Sequence, residues 1–236
     1  AAMSQAFFTL SIGIGSLAIF GSYLGKERRL LGESINIAVL DTLISIIAGL
    51  IIFPACFAFN VDPGQGPGLI FVTLPNIFNS MSGGRIWGSL FFIFMTFAAY
   101  STVIAVFENI ISFGMDLWGW SRKKASIINI FLLIVLSMPC VLGFNVLSWI
   151  QPLGENTRIL DLEDFIISYN LLPIGSLIYL LFCVTRYGWG FDKYLEEVNT
   201  GEGMKLPRAL KGYLTWVLPA IILVVLIQGY INVLGK

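Results

Sequence analysis

At 236 residues, 57% hydrophobic and only 12% charged, the chain carries far more apolar surface than one soluble core of this size could hide. Fourteen basic and fourteen acidic side chains leave no net charge, and the absence of His removes the usual metal ligand and proton shuttle. A water-soluble globular domain and a His-dependent enzyme are both excluded. An all-α, polytopic membrane helical bundle is expected instead, as a single domain. A helix rising 1.5 Å per residue needs roughly 20 apolar residues to cross the hydrocarbon core. Six segments approach or exceed that: residues 1–25, 35–59, 86–117, 123–145, 162–187 and 210–234.

The first segment opens on Ala1, Ala2 and Met3 and runs directly into apolar residues, with neither the basic start nor the cleavage site of a signal peptide. It reads as a chain that begins inside a span. Its middle, Thr9-Leu10-Ser11-Ile12-Gly13-Ile14-Gly15-Ser16, sets two glycines and three hydroxyls in an apolar run. Two readings compete there. Small residues let helices pack closely. Alternatively the helix unwinds, which hydrocarbon tolerates only where freed backbone groups line a polar cavity.

Lys26, Arg28 and Arg29 follow this span. Counting from Leu31, Asp41 then lies about ten residues into the second apolar region, roughly 15 Å along a helix, and an acid at that depth is a functional hypothesis by default. It must be protonated, paired or bound to a cation, and no Lys or Arg in the spans is an obvious partner. Residues 60–85, with the run Asp62-Pro63-Gly64-Gln65-Gly66-Pro67-Gly68, are too polar and broken for another span and are expected to form an outer loop. In the third long span, Ala98, Ser101 and Thr102 share one helix face, and Glu108 follows seven residues beyond Ser101. Hydroxyls and carbonyls are the oxygen ligands a hard cation accepts. Such hydroxyls also bond their own helix backbone, and that alternative stays open.

Arg122, Lys123 and Lys124 follow the third span, and Arg186, Lys193, Lys205, Arg208 and Lys211 surround the fifth connection, Tyr187–Lys211, which with its run Asp192-Lys193-Tyr194-Leu195-Glu196-Glu197 reads as a short amphipathic helix. The positive-inside rule places all three basic loops in the cytoplasm. Cys56, Cys140 and Cys183 are widely spaced and read as small buried hydrophobes.

Four stretches resemble the neurotransmitter:sodium symporters, and in particular the bacterial sodium-coupled amino-acid transporters of the leucine-transporter type. They are residues 1–15 (AAMSQAFFTLSIGIG), 71–78 (FVTLPNIF), 121–123 (SRK) and 192–199 (DKYLEEVN). The resemblance runs over essentially the whole chain, and it is to a family built on broken helices and inverted repeats. It implies the second inverted repeat, helices 6–10 of the family fold, plus helix 11. The N-terminal half, helices 1–5, is then the missing partner that supplies the rest of the site.

What the resemblance implies for individual residues is specific. Thr9 and Asp41 fall on the first sodium site, and Ala98, Ser101 and Thr102 on the second. Phe8, Thr9, Ser11, Ile14, Thr102 and Val106 fall on the substrate pocket, with Phe8 as the outer lid. Asp164 matches the acidic half of the outer gate, while Tyr23 and Asp116 match the inner gate. Gln5 and Ser45 match the anion site of chloride-dependent relatives. Most members carry Asn where this chain carries Asp41, and a fixed carboxylate beside Na⁺ can do the Coulomb work of the chloride. Two Na⁺ ions without chloride are therefore expected.

The function implied is sodium-driven secondary active transport of an amino acid into the cell by alternating access, without covalent chemistry. The apolar pocket residues point to a hydrophobic or aromatic substrate. A transport-inactive ligand-sensing or scaffolding membrane protein on the same fold is the alternative from another class. The amino acid and the lipid bilayer are the expected partners, with no nucleic acid. A multi-pass protein of the plasma membrane, the inner membrane of a bacterium, is the expected location.

Overall fold

The computed structural model describes residues 2–58, 69–155 and 157–234. All regular structure among them is helical: α1 (Ala2–Thr9), α2 (Ser16–Tyr23), α3 (Leu30–Ala58), α4 (Leu74–Ser80), α5 (Gly84–Trp118), α6 (Arg122–Leu142), α7 (Ile159–Ile166), α8 (Leu172–Val184), α9 (Phe191–Val198) and α10 (Leu218–Leu234). Five continuous helical segments are long and apolar enough to cross a membrane: Leu30–Ala58, Gly84–Trp118, Arg122–Leu142, Ile159–Val184 and Arg208–Ile231. The expected first span is different. It is divided into α1 and α2 by a single 3₁₀ turn at Ile12–Ile14, so neither half reaches spanning length alone.

Residues 60–68 of the expected outer loop lie outside the described residues. The rest of that stretch is more ordered than a loop, because a π-turn at Leu69–Thr73 feeds directly into α4. The reason is apolar spacing: Leu74 and Ile77 fall on one face and are buried with Cys56.

Three widened turns are each followed closely by a proline. Pro75, Pro173 and Pro219 each sit second in a helix that follows a π-turn, at Leu69–Thr73, Ile167–Leu171 and Tyr213–Val217. A proline ring collides with the carbonyl four residues back and offers no N–H. Widening the preceding turn moves that carbonyl aside, so the helical path continues.

The chain divides into two compact units, Ala1–Ile35 with Ala105–Lys236, and Asn36–Ile104. In the first, Phe7, Leu172 and Ile222 form a buried core that joins α1, α8 and α10. Its polar connections are tied by a clasp. Arg29 donates from Nε to the Asn199 carbonyl at 2.9 Å and from Nη1 to the Gly203 carbonyl, while Glu202 N–H reaches the Glu27 carbonyl at 2.8 Å. Asn199 in turn accepts from Leu206 N–H and donates to its carbonyl. The amphipathic α9 buries Phe191 and Val198 and turns Asp192 outward to Arg208 at 2.7 Å.

In the second unit, Cys56, Leu74 and Ile77 are surrounded by Ile52, Phe78 and Phe91. The rings of Phe78, Phe91 and Phe92 meet tilted or edge-on, with centroids 5.4–6.3 Å apart. Along α3, α5 and α6 most large apolar side chains stay exposed, Leu50, Phe94 and Leu136 among them. Lipid is the solvent that such surfaces require. Cys56 is fully buried, Cys140 and Cys183 are half-buried, and all three are free thiols.

Candidate functional site

The break between α1 and α2 is where the backbone departs most from a helix. Ser11 takes φ 47°, the one positive φ at a non-glycine among the described residues, and Gly15 takes φ 87°. A side chain in the left-handed region costs about 1 kcal/mol or more, so surrounding contacts must hold Ser11 there. Its N–H and hydroxyl both reach the Phe8 carbonyl, at 3.1 and 3.4 Å.

Both sequence readings of this segment are realised together. The helix is unwound, and its glycines also pack closely. A Cβ on Gly13 would lie 2.1 Å from the Leu172 carbonyl oxygen, and one on Gly175 would lie 2.2 Å from the Gly13 carbonyl oxygen. Only glycine at both positions lets the broken segment rest on α8. Behind it, the amide of Asn109 on α5 donates to the Ile14 carbonyl at 2.6 Å. That carbonyl has left the helical ladder, and buried carbonyls need a donor.

Phe8, Thr9, Ser11 and Ile14 all lie on this break or its flank; Phe8 is half exposed, Thr9 donates to the Gln5 carbonyl at 3.1 Å, and Ile14 packs on the apolar core. Val106 lies on α5 of the same unit and is half-buried. Gln5 is exposed on α1.

In the second unit, Asp41 is half-buried and Ser45 exposed, one turn apart on α3. Ala98, Ser101 and Thr102 lie together on α5, with Ser101 Oγ and Thr102 Oγ1 donating to the Ala98 carbonyl at 2.7 and 3.3 Å. Because the hydroxyls donate, their own lone pairs stay available to a cation. No cluster of three or more His, Cys, Asp or Glu occurs among the described residues.

The expected gate residues sort differently from one another. Asp164 is exposed on α7 and accepts from the Ser168 hydroxyl at 2.7 Å. Tyr23, at the end of α2, donates to Glu108 Oε1 at 2.8 Å. The same carboxylate receives a two-pronged contact from Arg122, Nη1 to Oε1 at 2.9 Å and Nη2 to Oε2 at 2.6 Å. Forked Arg–carboxylate pairs are the directional kind of ion pair. Asp116 is exposed and shares in none of these contacts.

Three elements of this arrangement escape a reading of the sequence. Arg122 reads there only as a cytoplasmic charge, although Glu108 lies one helix end away from it and needs a base. Asn109, a lone amide in an apolar helix, carries the same intramembrane signal as Asp41. The Gly13–Gly175 approach joins residues far apart in sequence, and no local pattern announces it.

Comparison with known proteins adds the wider setting. Residues 1–235 match the model of the Sodium:neurotransmitter symporter family. The chain is 31% identical over 200 residues to the uncharacterized sodium-dependent transporter YhdH of Bacillus subtilis, covering 85% of this chain and 44% of that protein. An uncharacterized sodium-dependent transporter of Haemophilus influenzae is 30% identical over 231 residues, covering 96% of this chain and 49% of its own. The crystal structure of MhsT in complex with L-phenylalanine superposes with TM-score 0.85 at 39% identity, over 97% of this chain and 51% of MhsT. The chain spans about half the length of these relatives.

Proposed function

Since the chain belongs to the sodium:neurotransmitter symporter family, we propose that it forms one half of a sodium-coupled carrier and supplies the broken-helix wall of its transport site. The observation that carries this reading is the break itself. Main-chain groups between Thr9 and Gly15 are freed from the helical ladder at mid-span, flanked by Phe8, Ser11 and Ile14. Freed carbonyls and half-helix ends are what a membrane protein uses to hold ions and zwitterions without a full charge of its own.

In this reading two Na⁺ ions are cosubstrates. Thr9 and Asp41 contribute to the first site. The Ala98 carbonyl with the Ser101 and Thr102 hydroxyls contributes to the second. The substrate is an amino acid with an apolar or aromatic side chain, received by Phe8, Ser11, Ile14, Thr102 and Val106. The apolar character of Phe8, Ile14 and Val106 supports that class, and MhsT, which was crystallised with L-phenylalanine, is consistent with it. Asp164 belongs to an outer gate and Tyr23 and Asp116 to an inner one. The Asp41 carboxylate does the work of the chloride that some relatives bind through residues matching Gln5 and Ser45. The other half of the carrier completes each site, and the location is a bacterial inner membrane.

The test is sodium-dependent uptake of labelled amino acids by the full-length protein in proteoliposomes, with Asp41→Asn, Ser101→Ala and Thr102→Ala made singly. Uptake that needs a sodium gradient and weakens with each change is expected. Binding that ignores sodium and all three changes refutes the assignment.

A further inference from the structure

The segment that follows the break is held by side chains that the ion and substrate assignments do not use. Asn109 Nδ2 sits 2.6 Å from the Ile14 carbonyl oxygen. One residue on, a Cβ built on Gly15 would lie 2.5 Å from the Tyr179 hydroxyl oxygen and 3.5 Å from Asn109 Nδ2. Gly15 is buried. Two polar groups, one from α5 and one from α8, thus close on two consecutive peptide units of the break, while Gly13 rests on Leu172 from the α8 side.

We infer that Asn109, with Tyr179 set against Gly15, is a positioning residue that fixes the main chain of Ile14 and so sets how large a side chain the substrate pocket admits. The inference rests on the transport reading above, in which Ile14 faces the substrate. The physical argument is local. Ile14 ends a 3₁₀ turn and precedes a left-handed glycine, so helical hydrogen bonding does not determine its peptide plane. The Asn109 amide does. Without that donor, the peptide unit joining Ile14 to Gly15 must turn to find another, and the main chain that carries the Ile14 side chain is free to shift with it. A glycine or alanine substrate is too short to sense the change. A leucine, phenylalanine or tryptophan substrate meets the displaced wall directly.

The test uses the full-length carrier and a size series of labelled amino acids from alanine to tryptophan, with KM and Vmax measured separately. Asn109→Leu keeps the approximate volume and removes the donor. The expected result is a change of about tenfold in the ratio of KM for phenylalanine to KM for alanine, the equivalent of roughly 1.4 kcal/mol for one hydrogen bond. Half-saturation by Na⁺ stays where it was. Asn109→Gln, which keeps an amide on a longer arm, restores most of the ratio. Tyr179→Phe, which removes one atom, shifts the ratio in the same direction and keeps the test available if Asn109→Leu is not recovered folded. A uniform fall in Vmax with an unchanged KM ratio in these variants, while wild type still takes up amino acids, overturns the positioning role alone. Wild type without any sodium-dependent uptake overturns the transport reading and this inference with it.

Discussion

Replacing Gly175 with Ala puts a methyl group 2.2 Å from the Gly13 carbonyl oxygen, where ordinary contact begins at 3.4 Å. The obstacle is main chain, so no rotamer change can relieve it. The broken segment and α8 must part by about 1.2 Å, the difference between those two distances. Forced overpacking of this kind costs about 1–3 kcal/mol. For a domain of this size that corresponds to roughly 2–12 °C in Tm. Because the displaced atoms belong to the break, sodium-dependent substrate binding should weaken by about tenfold or more, at least as much as the loss of one hydrogen bond. The assay is thermal unfolding of the purified full-length protein, followed by substrate binding on the folded fraction. Gly32→Ala is the matched control, since nothing lies within 4 Å of its Cβ and alanine favours a helix by up to about 1 kcal/mol. If Gly175→Ala unfolds and binds like wild type, the close approach of break and helix does not govern the site.

Other expectations concern separate parts of the molecule. Tyr23→Phe, Glu108→Gln and Arg122→Gln remove parts of one network, so labelling of a cysteine placed on the inner side of α2 should rise in each, with double changes adding little; full additivity would show independent roles. Uptake by wild type should persist without chloride, and Asp41→Asn should create a chloride requirement of about tenfold in rate; a wild type that needs chloride defeats the idea that the carboxylate replaces it. Arg29→Ala releases two main-chain carbonyls of the clasp and should lower Tm by a few degrees, from about 1 kcal/mol of lost hydrogen bonding, with KM unchanged. A changed KM there would mean the clasp bears on the site itself.

The helical spans are legible in the sequence because apolar length is a local property: α3, α5 and α6 could hardly be anything else. Their ends are less so. Leu30 begins α3 five residues before the expected start at 35, because Glu33 suits a first turn whose free N–H groups favour an acid, and the Ser34 hydroxyl donates to the Leu30 carbonyl at 2.8 Å. The break is visible as a cluster of glycine and hydroxyl residues, but composition does not separate unwinding from packing, and the structure has both. Glu108 reads in sequence as a carboxylate near the cation-binding stripe. Its Arg122 partner comes from the next helix, and the turn between α5 and α6 that returns it is set by Trp120 N–H reaching the Gly114 carbonyl. Asn109 and Tyr179 meet the break only through tertiary folding. No spacing along the chain encodes a carbonyl that has lost its helical donor.

The widened turns before Pro75, Pro173 and Pro219 also bear on how this chain should be compared with its relatives. A π-turn is an α-helix with one residue inserted, and the insertion rotates everything beyond it by about 100°. At Ile167–Leu171 the extra residue therefore decides which face of α8 meets the Gly13 carbonyl: Gly175, as it stands, or a neighbour that could not fit. Relatives whose helix lacks the proline should carry a single-residue gap within this turn, not within the helix that follows. An alignment that slides the gap past Leu172 would assign every later position of α8 to the wrong side.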